Sequence, residues 1–311
     1  MNNYQLIELL SRDPLFEVYK AKSLGVEGFE KTLEIKKISP ELNHNSEFVA
    51  AFLDEAKTTV NLCHANIVQV FDMGYAHDSY FIATEHLSGN TLDHVLRASK
   101  ERTQRIPAEL GVYIISEVAR GLDYAHRHRD SEMQPLNIIH RDISPSNVFL
   151  SHDGQVKVAN FGIAKACSHL KGALDRATIE GGSVGAYLSP EQIQDDGLLD
   201  QRTDLFSLGV LLYEVILGHN PFRQTAGGQT AATVFDAAYV ALCEMNPEVP
   251  SALTDIVVRS MNFERERRYP SAAAMHEDLA QLVEHGMGHS GASELSAFMK
   301  QFERVEAPKV S

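Results

Sequence analysis

The densest group of chemically able side chains lies in the run IIHRDISPSNVFL, Ile138 to Leu150, where His140, Arg141, Asp142 and Asn147 stand close together. A carboxylate and an amide at such spacing can orient a hydroxyl, accept its proton or hold a cation. A hairpin turn at His152 to Gly154 and the run VKVANFG follow directly. Other candidates for chemistry are weaker. His126 and His128 in AHRHRD, and His285 and His289, are read as solvated side chains and not as metal ligands. Cys63, Cys167 and Cys243 have no CxxC spacing, which argues against a disulfide framework or a cysteine zinc site and fits a reducing compartment. A GxSxG nucleophile elbow is absent.

These residues need elements to position them. Up to about Leu87 the chain alternates apolar and polar residues in short β-type runs: VYKA around Val18, TLEIKKI around Ile35, NIVQVFDM from Asn66 and SYFIATEHL from Ser79. One helix interrupts them, from Ser46 to about Leu62, with Phe48, Phe52, Ala56 and Val60 recurring every four residues and Glu55 beside the stripe. From Thr91 the pattern turns helical. Ala108 to His126 is amphipathic, whereas DLFSLGVLLYEVILG from Asp204 is apolar almost all round and must be buried on every side. Further helices are expected over Ala252 to Met261 and Ser271 to Val283. After the break HGMGHSG comes a short one carrying Leu295, Phe298, Met299 and Phe302 on one face.

The HisArgAsp string at 140–142, with Asn147 five residues after Asp142, resembles the catalytic loop of protein kinases. The strings GFEKTLEIKKI, LDYAH and HRDISPSN resemble the bacterial Ser/Thr protein kinase family in particular. The likeness runs in order from about Tyr4 to Val283. It implies an α+β bilobal fold: a strand-rich lobe over 1–87, a helical lobe over 88–285 and a short helical tail over 286–311. It also implies roles. Asp142 would orient a substrate hydroxyl, Asn147 would hold Mg2+, Lys36 would grip the ATP phosphates, and Glu55 would brace Lys36. Glu85 and Leu87 would contact the nucleotide, Asp204 would sit under the catalytic loop, and Arg268 would pair with Glu191 after the LSPE string.

Four positions depart from the pattern. Where the family's glycine-rich loop has its three glycines, this chain has Ser11, Asp13 and Phe16, with Pro14 removing an N–H donor. Asp13 is expected to oppose an anionic ligand and Phe16 to fill the space of the γ-phosphate. Two residues before Lys36, Glu34 replaces a small apolar residue that packs on adenine. Residues i and i+2 of a strand share a face, so Glu34 would occupy the adenine site, pair with Lys36, or do both; a slipped strand would instead turn it to solvent. Asn160 in NFG replaces the aspartate that is the principal metal ligand, leaving Asn147 and Asn160 as weak metal ligands. Ser144, the mildest change, stands where a lysine is usual.

Composition sets the remaining bounds. The 311 residues are 44% hydrophobic and 23% charged, an ordinary globular balance. Twenty-eight Lys and Arg against 42 Asp and Glu give a net charge of −14, which disfavours nucleic acid and anionic membrane surfaces as partners. The opening residues lack a signal-peptide pattern, and a cytoplasmic protein is expected. The expectation is a catalytically impaired pseudokinase that serves as a scaffold or regulator for a protein partner, a kinase or a substrate, in a bacterial phosphorylation pathway. ATP and Mg2+ would be cofactors only if the chain is active, and otherwise it would use none. The alternative is an atypical Ser/Thr kinase using ATP and Mg2+, with Thr178 or Ser183 as phosphosites. A third reading is a sensor of another small ligand.

Overall fold

Asn45, Thr91 and Ser271 each accept a hydrogen bond from a backbone N–H three residues on, and each starts a helix. The fold built from them is seen in a computed structural model that describes residues 4–76, 78–161, 184–194, 199–222, 250–285, 287–288 and 290–302. Strands β1 (Tyr4–Arg12), β2 (Phe16–Leu24), β3 (Glu30–Ile38), β4 (Val70–Ala76) and β5 (Ser79–Glu85) form an antiparallel sheet in the order β1-β2-β3-β5-β4. Alternation along β3 buries Leu33 and Ile35 with Phe81 and Ala83 on one face. The other face carries Glu34 and Lys36. Helix α1 (Ser46–Thr59) packs Phe48, Phe52 and Ala56 beneath the sheet, and it ends at Thr59, earlier than its apolar stripe suggests.

The second lobe contains α2 (Leu92–Glu101), α3 (Ala108–His126), α4 (Pro190–Gln194), α5 (Arg202–Leu217), α6 (Ser251–Ser260), α7 (Ala272–Glu284) and α8 (Ala292–Met299). A small sheet of β6 (Gly89–Thr91), β7 (Val148–Ser151) and β8 (Val156–Val158) lies at its upper edge. Every residue of α5 from Thr203 to Leu217 is buried, as its uniformly apolar sequence requires. The face Leu295, Phe298, Met299 and Phe302 of α8 and the turn after it is buried in the same core as α3 and α5. Beside it, Gly154 has φ +81° and lies against the Ala292 carbonyl, where a Cβ would come within 1.8 Å of the oxygen.

Asn66 to Val68, read as the start of a strand, instead docks on the helical lobe. Val68 N donates to Val158 O (2.9 Å), and Asn66 Nδ2 donates to Val156 O (3.0 Å) and Glu117 Oε2 (2.8 Å). Strand β4 begins only at Val70. The first strand, β1, whose side chains are mostly exposed, has no apolar alternation to announce it.

Candidate functional site

The loop 138–147 takes its shape from one buried carboxylate. Asp204, in the first turn of α5, is fully buried and accepts hydrogen bonds from His140 N (2.9 Å) and Arg141 N (2.8 Å). His126 Nε2 lies 2.7 Å from the same carboxylate. Burial pushes the Asp204 carboxyl up, but the hydrogen bond and charge of His126, together with His140, bring it below the ordinary aspartate value. His140 is wholly buried, and burial pushes its imidazole down. His126 is therefore not solvated. Its last-turn position on α3 faces a partner 78 residues away, which local sequence does not reveal. With its amide tied to Asp204, Arg141 holds a left-handed φ of 67°.

Above this support the polar residues form a chain. Asn147 Nδ2 donates to Asp142 O (2.7 Å) and to Asp142 Oδ2 (2.8 Å). Asn160 Nδ2 donates to Asn147 Oδ1 (2.7 Å), and Lys36 Nζ donates to Asn160 Oδ1 (2.5 Å). Asn160 adopts φ +66°, a conformation that asparagine tolerates better than most residues, and this turn directs its amide between the lobes. Next to it Phe161 is buried edge-on against His140, with centroids 4.6 Å apart. Lower down, Arg268 clamps Glu191 with two bonds of 2.7 and 2.8 Å, both residues buried, and Thr203 Oγ1 adds a third at 3.0 Å. Burial raises the Glu191 carboxyl, but these donors bring it below its ordinary value.

A cavity of about 270 Å³ lies between the lobes. Ser11, Glu34, Lys36, Glu85, Leu87, Asn147 and Asn160 all line it, among apolar walls that include Val18, Ile82 and Phe149. Glu34 thus faces the cleft, as strand alternation predicts, and the register Glu34↔Thr84 and Lys36↔Ile82 excludes the slipped strand. Its Oε1 lies 2.9 Å from His86 Nδ1, and the pairing seen for Glu34 is with this histidine and not with Lys36. Sequence reasoning missed His86. It follows Glu85, which sits opposite Leu33 in the β3/β5 register, and that adjacency was the available signal. Glu85 Oε1 is itself held by Lys157 Nζ and Gln69 N, both at 2.8 Å. The side chain of Glu55 lies outside the described residues, as do Thr178 and Ser183.

Two loop residues are placed differently from expectation. Phe16 is 3% exposed and does not line the cavity. It packs against Phe48 and Phe52, because the first residue of β2 points toward α1, and its ring lies 4.7 Å from Lys36 Nζ. Asp13 does not project into the cleft either. Its Oδ1 accepts from Leu15 N (2.7 Å) and Phe16 N (2.8 Å), an Asx-type turn that uses the loop's own amides. A phosphate would need those donors.

The donor set does not fit a magnesium ion. Mg2+ favours charged oxygen ligands in octahedral array. Here Asn147 Oδ1 and Asn160 Oδ1 are neutral, and both already accept hydrogen bonds. Among the described residues no three His, Cys, Asp or Glu side chains gather as a metal site.

Two lobes, a polar loop anchored on a buried aspartate and a cleft above it define a kinase-fold protein. The chain belongs to the protein kinase family: the model of the protein kinase domain matches residues 16–280. Tyrosine-protein kinase MasK of Myxococcus xanthus is 37% identical over 297 residues, covering 96% of this chain and 45% of that protein. Serine/threonine-protein kinase PrkC of Bacillus subtilis is 29% identical over 276 residues, covering 89% and 40%. The chain thus spans less than half the length of these curated relatives. In fold it is similar to the PknI kinase domain of Mycobacterium tuberculosis, with TM-score 0.63, 22% identity and coverage of 90% of this chain and 95% of that one. Among the described residues no helix is long and apolar enough to cross a membrane.

Proposed function

We propose that this chain is a pseudokinase, a kinase-fold regulator or scaffold that engages a protein partner in a bacterial phosphorylation pathway and transfers phosphate poorly or not at all. The observation that carries the reading is Asn160. A neutral amide stands at the position where the family places a charged metal ligand, and both its ends are bonded, to Lys36 and to Asn147. Loss of an anionic ligand from a charge-neutralising metal site is expected to lower the transfer rate by several powers of ten, each worth about 1.4 kcal/mol. The Asp13 turn supports the same conclusion, since it leaves the loop few free amides for a triphosphate. In this reading Asp142 and Asn147 serve the architecture of the loop.

A second reading, an atypical Ser/Thr kinase using ATP and Mg2+, is favoured by the retained Asp142, the Asp204 anchor beneath it and Lys36 in the cleft. Relatives named as kinases favour it too. The deciding experiment measures transfer from γ-labelled ATP to the chain itself and to a general protein substrate, for the unmodified chain and Asp142→Ala. Equal background signal in both supports the pseudokinase. Activity that is abolished by Asp142→Ala in a folded protein establishes the kinase.

A further inference from the structure

Among the described residues, the acidic and basic side chains that line the cavity are Glu34, Glu85 and Lys36. Glu85 is neutralised by Lys157 and Lys36 bonds Asn160, whereas Glu34 has only the imidazole of His86 against it. His86 holds Glu34 Oε1, and Oε2 accepts no hydrogen bond from a described residue. This carboxylate therefore offers an oriented acceptor inside a cleft whose walls, Val18 and Ile82 from one lobe and Phe149 from the other, are apolar. A carboxylate in such surroundings attracts a planar cation or a pair of N–H donors more strongly than it would in water.

We infer that the cavity receives a flat, phosphate-free heteroaromatic base whose amidine- or guanidine-like N–H edge is held by Glu34. The inference rests on the reading above, that the cleft is not built to transfer phosphate. The apolar walls cover the ring faces, Glu34 takes the donor edge, and His86 fixes the carboxylate's orientation. At the loop end the amides of Leu15 and Phe16 are taken by Asp13 and are not offered to an anion. Glu34 is the specificity-determining residue: it penalises ligands that present acceptors or negative charge and selects those that present donors.

The test is calorimetric titration of the full chain with 2-aminobenzimidazole, a planar cyclic guanidine, and with benzimidazole, which keeps the ring and lacks the exocyclic amine. Adenosine and ATP with magnesium are titrated alongside. The aminated compound should bind at least about tenfold tighter, and Glu34→Gln should bring the ratio close to one. A ratio near one in the unmodified chain overturns the inference whether or not the variant folds, and so does a ratio that a folded Glu34→Gln leaves intact. ATP with magnesium binding at least about tenfold tighter than adenosine would overturn the phosphate-free part of the inference, whereas the pseudokinase reading fails separately, on transfer from γ-labelled ATP.

Discussion

The side chains that distinguish this cleft act on one ligand site in different ways. In the pseudokinase reading Glu34 opposes a purine directly, whereas Asn160 weakens only metal binding. Glu34→Ala should therefore raise affinity for ATP with magnesium more than Asn160→Asp does, and the two with Asp13→Gly should be more than additive, as dissociation constants by calorimetry will show. Phe16 does not belong in such a repair. It is buried between β2 and α1, and Phe16→Ala should cost about 3–5 kcal/mol in urea unfolding, with no gain in nucleotide affinity. The face of Glu34 was legible in the alternation of β3. The turn of Phe16 was not, because a loop's last residue joins whichever side the strand after it starts on.

Elements written in strong periodicity were the most legible. Helix α3 runs from Ala108 to His126, as its amphipathic pattern predicts, and α5 is buried all round, as its apolar sequence demands. Segments held by distant partners were not: Asn66 to Val68 reads as strand but is fixed by bonds to β8 and Glu117, and His126 reads as solvated but meets Asp204. The same contrast governs α8. Its apolar face was visible in sequence, and its seat was supplied by Gly154, whose left-handed φ lets the hairpin approach the helix. Leu295→Ala should cost about 2–5 kcal/mol in chemical denaturation. Gly154→Ala should also destabilise the chain, since both the backbone angle and the Ala292 carbonyl oppose a Cβ. Removing residues 288–311 should lower the melting temperature, and an unchanged one would show that α8 contributes no stability.

At the scale of the molecule, buried titrating groups set the acid limit. His140 and His64 have imidazoles pushed down by burial, so below an ordinary value of about 6.5 the unfolded chain takes up protons that the folded chain does not. Stability should fall as pH drops through that region. Asp204 adds to the loss at lower pH: its carboxyl is depressed in the fold, so its contribution is present above the ordinary aspartate value and disappears as pH falls through the depressed one. Urea midpoints between pH 7.5 and 4 check the direction. The Arg268–Glu191 clamp joins α4 to the segment before α7, and Arg268→Ala, which leaves a buried carboxylate unpaired, should cost about 3–5 kcal/mol.

The bridge from Lys36 through Asn160 to Asn147 also has a dynamic consequence. It ties β3 of one lobe to the loop of the other through two side-chain hydrogen bonds. Separating the lobes must break this relay. Amide exchange at Lys36, Asn147 and Asn160 should accordingly be slow in the free chain and speed up in Asn160→Ala, which removes the middle of the relay.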